Sequence, residues 1–302
     1  MSSADQVVVG SGQRLHLGIS TCPNDTFAFA GLLEDRVDTR GLQFVVDLLD
    51  IDELNRGLLG GRFDVLKASF HAALLATEDT VVLPVGAALG FGVGPLLLSA
   101  RPGMRPESPS AGSAERPLTL CPGEHTTAKL LFDLFYPEST RIEHVVFSDI
   151  MPRLAAGTAD FGVCIHEGRF TYQESGLACV EDLGERWEAA TASPLPLGGL
   201  LMRSRHDETT MQKVVAVISD SLRLADGASE TALPAMRRYA QAMEDAVLMQ
   251  HVELYVNKWT RSLGDVGVAA LEKLSEMARK CGKLGDHSRG LRVFVVKNHL
   301  NN

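Results

Sequence analysis

Four short polar stretches hold the residues best suited to chemistry: TCPNDT at 21–26, KASFH at 67–71, GEHTTA at 123–128 and HEGRF at 166–170. In the last of these, His166 follows the apolar run DFGVCI. Such a lead-in would hold an imidazole rigidly and let it stay neutral near pH 7, as a general base requires. The competing role is a histidine bonded only to structure. Glu167 would orient His166, pair with Arg169, or face solvent. In GEHTTA, Thr126, Thr127 and Ala128 open an apolar helix pattern, TTAKLLFDLF. Hydroxyls and unbonded N–H groups at a helix start suit a carboxylate or phosphate, and Thr126 would serve equally as a plain cap. In KASFH, Lys67 ends an apolar strand pattern and needs a buried partner, or else reaches a cleft with its ammonium. Ser69 suits a helix cap, and His71 reads as a structural or surface histidine. In TCPNDT, Asn24 or Asp25 suits a helix cap ahead of TFAFAGLL. Cys22 has no base beside it in sequence and reads as a packed thiol.

Each of these stretches falls just after a strand pattern and before, or at the start of, the next element. RLHLGISTCPNDTFAFAGLL and PLTLCPGEHTTAKLLFDLF both read as strand, polar loop, helix. DELNRGLLGGRFDVLKAS and SDIMPRLAAGTADFGVCIH both read as helix, glycine stop, buried strand. Alternating elements of this kind build mostly parallel sheets, and ligands of such sheets bind at the carboxyl ends of the strands. The expected fold class is therefore α/β, with two α/β domains around a central cleft and two polar stretches from each facing across it. Two loop-like runs, RPGMRPESPSAGSAERP at 101–117 and SPLPLGG at 193–199, are read as the crossings. They assign 1–100 and 199–302 to a larger first domain and 101–198 to a smaller one inserted in it. The last third reads as mostly helical.

The 302 residues are 45% hydrophobic and 22% charged, with a formal net charge of −9. This is an ordinary globular balance and does not suggest nucleic acid as a partner. Five cysteines, an odd number without CxxC spacing, argue against a disulfide framework or a structural zinc. There is no GxGxxG opening a helix, no GxxxxGK[ST], no HExxH and no GxSxG, so no cofactor and no metal are expected. GAALGFGVGPLLL reads as strand with close backbone approach. The first residues lack a basic stretch followed by an apolar one, and no run is long enough to span a bilayer. The expectation is a cytoplasmic protein acting on a small molecule, without a membrane or nucleic acid partner. The oligomeric state is not legible.

The phrases STCPNDTFAFAGL, ELNRGLLGGRFDVLKASFHA, GAALGFGVGPLLL, PGEHTTA, CIHEGRFTYQESGL, DLGERWEAATASPLPLGG and LYVN run from about Leu15 to Asn257. Together they resemble the 1,4-dihydroxy-6-naphthoate synthases of the futalosine route to menaquinone. The resemblance implies a fold like the type II periplasmic binding proteins. It also implies a cofactor-independent carbon–carbon lyase acting on cyclic dehypoxanthine futalosine, a carboxylated substrate, with release of a dihydroxyacetone fragment. The family's proton acceptor matches His166. Its substrate-contacting segments match Lys67, Ala68 and Ser69, and Thr127 with Ala128. Ala68 stands where the family often has Leu, Gly168 where it commonly has Ser, and the run at 101–117 looks longer than usual. The alternatives are a chorismate dehydratase of the same pathway and a solute-binding protein without chemistry. The CPND and IHE segments, and the histidine itself, weigh against them.

Overall fold

Two segments of the chain build the same three-strand unit, and both of its polar loops face one pocket. A computed structural model describes residues 6–107, 116–166, 168–239, 244–285 and 287–296. In chain order the elements begin with β1 (Gln6–Gly10), β2 (Gln13–Ser20), α1 (Pro23–Ala28), α2 (Ala30–Leu33), β3 (Leu42–Leu49), α3 (Ile51–Leu59), β4 (Val65–Ser69), α4 (Phe70–Leu74), β5 (Thr80–Val82) and β6 (Ala88–Gly90). Next come β7 (Leu96–Ser99), β8 (Leu118–Pro122), α5 (Thr127–Phe135), β9 (Arg141–Val145), α6 (Phe147–Ala155), β10 (Phe161–Cys164), α7 (Gly168–Thr171), β11 (Ala178–Asp182) and α8 (Leu183–Thr191). Then follow β12 (Leu195–Arg203), α9 (Glu208–Gly227), α10 (Leu233–Tyr239), α11 (Asp245–Tyr255), α12 (Lys258–Arg261) and α13 (Gly264–Lys280).

The first sheet has the order β1-β3-β2-β4-β12-β5, with β6 also paired to β12. The second has the order β11-β7-β10-β8-β9. In the first, β2 runs parallel to β3 and β4. In the second, β8 runs parallel to β9 and β10. Each trio then meets an antiparallel neighbour, β12 on β4 and β7 on β10. The shared order follows from the shared pattern: the connections through α3 and α6 carry the chain from one side of β2 or β8 to the other.

Burial follows the apolar residues. Leu15, Leu17 and Ile19 of β2 are fully buried, as are Leu66 and Ala68 of β4 and Phe161 and Val163 of β10. One apolar cluster runs through both units, joining Phe63, Phe70 and Trp259 to Phe132, Phe161 and Trp187. Each such side chain contributes about 2–3 kcal/mol by leaving water, so the units share a core beneath the pocket.

Two boundaries differ from the sequence reading. Strand β7, assigned to the first domain, pairs with β10 and β11 in the second sheet. The chain therefore crosses between β6 and β7. The run at 101–117 then connects β7 to β8 inside the second unit, and its residues 108–115 lie outside the described ones. A Pro- and Ser-rich composition marks a loop but not which units it joins. SPLPLGG, read as the return crossing, is mostly the start of β12. Its glycines serve close packing: a Cβ on Gly198 would meet the Ala68 carbonyl oxygen at 2.7 Å, and one on Gly199 the Phe70 ring at 2.6 Å. Pro196 is tolerated because the pairing of β12 with β6 is irregular between Pro196 and Gly198.

Candidate active site

A pocket lies between the two sheets, with about 670 Å³ of empty space counted together with the solvent it opens onto. Its walls come from the end of β2 and the start of α1, the ends of β4 and β10, the crossing from β6 to β7, the start of α5, β12, and one face of α11. These are mainly strand carboxyl ends, as the alternating pattern requires.

On the first wall, Asp25 and Lys67 form a buried ion pair, with Lys67 Nζ donating to Asp25 Oδ1 at 2.6 Å. The ammonium also donates to the Gly86 carbonyl at 3.0 Å. Asp25 further accepts from the Ser20 hydroxyl at 2.7 Å, the Ser20 N–H at 3.3 Å and Asn24 Nδ2 at 2.9 Å. The expected buried partner of Lys67 is thus Asp25, and the ammonium also borders the pocket. Asp25 and Asn24 do not cap α1. Cys22 is the N-cap residue, without a side-chain cap bond, and Pro23 takes the first helical position, where its missing N–H costs nothing.

On the facing wall, the Thr126 hydroxyl caps α5 by accepting from the Lys129 N–H at 3.2 Å. The N–H groups of Thr127 and Ala128, in the first turn, have no acceptor within the helix and favour negative charge. The Thr127 hydroxyl donates to the Leu197 carbonyl of β12 at 2.6 Å and accepts from the His71 N–H at 3.3 Å, so it ties the units together. Ser69 does not cap α4 with its side chain. Instead it is held by fully buried Asn55, which donates to its hydroxyl at 3.0 Å and accepts its N–H at 2.9 Å. Asn55 also reaches the His125 carbonyl across the units at 3.4 Å.

His166 sits just beyond β10 with φ at +57°, a left-handed backbone that costs a non-glycine residue about 1–2 kcal/mol. Strain of this kind often marks a functional position. Phe147 meets its ring edge-on at 4.7 Å, and His251 of α11 stacks beside it at 5.9 Å. Cys22 Sγ lies 3.4 Å from Nδ1 and 3.6 Å from Nε2. Such similar distances place the thiol between the two nitrogens rather than in line with one. The sequence reading left Cys22 without a base; chain folding puts it beside His166, from the opposite unit.

The pocket gathers His166, Lys67, Ser69, Thr126, Thr127, Ala128, Asn24 and Asp25. It does not include Ala68, which is fully buried on β4. Arg169 is outside it too. Its guanidinium donates to Asp182 at 2.7 Å and to the Gly94 carbonyl at 2.6 Å, fastening the segment after His166 to the end of β11 and to the crossing between β6 and β7. Glu167 lies outside the described residues. At Gly168 a Cβ would meet the flexible Met151 sulfur at 3.1 Å, so a serine would need only a small shift. Sequence reasoning missed Ser20, Asn55, His251 and Tyr255. The last two, four residues apart on a helix, share a face, which was the available signal.

His71 is structural and sets an acid limit. Burial, opposed by the bond of Nδ1 to the Thr126 carbonyl at 3.1 Å, pushes it down from 6.5 to about 4. Below about pH 6.5 the unfolded chain takes up a proton that the folded chain refuses until about pH 4. Stability is therefore full above pH 6.5 and falls across that window, by about 3 kcal/mol for this residue. Urea unfolding at pH 7.5 and 4.5 should show a smaller acid loss in His71→Gln than in wild type; equal losses would remove His71 from the account.

Among the described residues, no three His, Cys, Asp or Glu side chains cluster as a metal site. No described helix is long and apolar enough to cross a membrane.

Two α/β units with facing strand ends, a polar pocket between them and a histidine in that pocket define a two-domain cleft protein of the solute-binding fold. An alkanesulfonate-binding protein of Xanthomonas axonopodis pv. citri, bound to MOPS, has this fold, with a TM-score of 0.68 at 12% identity over 92% of this chain and 96% of its own. At such identity the likeness concerns the fold alone. A protein from Archaeoglobus fulgidus is nearer, with a TM-score of 0.80 at 28% identity over 89% of this chain and 98% of its own. The chain belongs to the menaquinone biosynthesis family, which it matches over residues 15–280. It is 36% identical over 282 residues to a 1,4-dihydroxy-6-naphthoate synthase of Thermus thermophilus, covering 93% of this chain and all of the relative. It is 37% identical over 270 residues to one of Streptomyces coelicolor, covering 87% of this chain and 92% of the relative.

Proposed function

We propose that this protein is a lyase that splits cyclic dehypoxanthine futalosine into 1,4-dihydroxy-6-naphthoate and dihydroxyacetone, working in the cytoplasm without a cofactor. The observation that carries the reading is His166: a strained histidine at a strand end, in a pocket that also holds a helix N-terminus. The substrate carboxylate binds the N–H groups of Thr127 and Ala128. That contact turns the sugar-derived ring toward His166. The imidazole takes a proton, the carbon–carbon bond to the three-carbon unit breaks, and the same proton returns to the departing carbon. The cleavage then needs no net proton, and aromatisation of the remaining ring drives it. Orientation in the pocket supplies much of the rate, and the positioned base about 10²–10⁴-fold.

Incubating purified protein with cyclic dehypoxanthine futalosine, without added metal or cofactor, should release naphthoate and dihydroxyacetone in equal amounts. Binding of the substrate without either product would replace this reading with that of a solute-binding protein.

A further inference from the structure

His251 is almost fully buried, with about 1% of its surface exposed, yet it borders the pocket. Neither Nδ1 nor Nε2 has a hydrogen-bond partner among the described residues. A neutral imidazole always presents one N–H donor and one lone pair, whichever tautomer it holds. Leaving both unmet in the interior costs free energy, and proteins rarely keep such a group without a use for it. What fills the pocket can supply the partners.

The placement narrows what those partners are. The ring lies nearly parallel to that of His166, 5.9 Å away and tilted by 23°. Tyr255 packs against it as well, with ring centres 4.5 Å apart. Burial first, and then the nearby His166, push the His251 pKa well down, so the ring stays uncharged while His166 takes up its proton. An uncharged imidazole offers one N–H to an acceptor oxygen and one lone pair to a hydroxyl. A carboxylate could take only the first, whereas neighbouring hydroxyl and carbonyl oxygens meet both, and the substrate carboxylate has its own place at the start of α5.

We propose that His251 is a second substrate-contacting residue, whose imidazole gives one hydrogen bond to, and takes one from, oxygen groups of the substrate beside the atom where His166 acts. The proposal rests on the lyase reading for the identity of that substrate. The oxygens belong to the part that leaves as the three-carbon fragment. The N–H of His251 steadies the oxygen on which charge gathers as the bond breaks, and no covalent bond to His251 forms.

The test is His251→Phe beside His251→Gln, with wild type in parallel. Phenylalanine keeps the flat ring and removes both orphaned nitrogens. Its melting temperature should equal or exceed that of wild type, while turnover falls by about 100-fold or more. Glutamine, which supplies a donor and an acceptor, should recover part of the rate. A histidine serving only the fold would behave oppositely: His251→Phe melting more than about 5 °C lower, or keeping turnover within about threefold, overturns the proposal. If wild type itself makes no product, the lyase reading falls. The His251 contact is then decided by binding of the same substrate, which His251→Phe should weaken about tenfold or more and which unchanged affinity would refute.

Discussion

Replacing His166 with Asn lowers turnover by about 10²–10⁴-fold and leaves folding stability within about 1 kcal/mol of wild type. The two halves of this expectation have separate causes. The rate falls because Asn has no basic nitrogen to receive a proton. Stability holds because the backbone at 166 is left-handed, with φ at +57°, and Asn accepts that conformation more readily than most side chains. The ring does lose its edge contact with Phe147 and its stack on His251, which sets a small cost. Steady-state kinetics with thermal unfolding checks both. A stable variant that keeps its rate would remove His166 from the chemistry, and one that unfolds would make it structural.

Lys67→Met destabilises the protein by about 3–5 kcal/mol, the cost of stranding one member of a buried ion pair. The carboxylate of Asp25 is almost completely enclosed and would keep only the donors from Ser20 and Asn24. The double variant Asp25→Asn/Lys67→Met should recover much of that loss, because it removes the uncompensated charge. A double-mutant cycle in urea would therefore give a coupling of more than about 2 kcal/mol. Single losses that simply add would contradict the account. Recovered stability should not bring recovered turnover. Asp25 also holds the start of α1, which presents Asn24 and Cys22 to the pocket, and a neutral pair holds it with weaker bonds.

Much of this architecture was legible because each unit repeats a simple code. Apolar runs ending in small polar residues gave β2, β4, β8 and β10, and their carboxyl ends had to face a common space. His166, Thr127 and Ser69 were legible for that reason. Other features depended on contacts between distant segments. SPLPLGG carries the composition of a linker, yet it is strand, since the glycines that loosen a chain in isolation also let β12 lie against Ala68 and Phe70. Ala68 sits between two groups that face the pocket, but strand alternation turns its side chain into the core. Lys67 posed an identifiable problem, an ammonium in apolar company; its partner Asp25 lies in a polar stretch and read only as a helix cap. His251 gave no such sign, because a histidine on an amphipathic helix reads the same whether or not its nitrogens are met.

The central claim is that His166 is the base, and chemical rescue tests it most directly. Glycine fits the left-handed backbone at 166 without strain and leaves room for a free imidazole. His166→Gly should be folded and nearly inactive on cyclic dehypoxanthine futalosine, and added imidazole should restore naphthoate release in proportion to its uncharged fraction. A His166→Gly protein that turns over within about tenfold of wild type without imidazole would contradict the account.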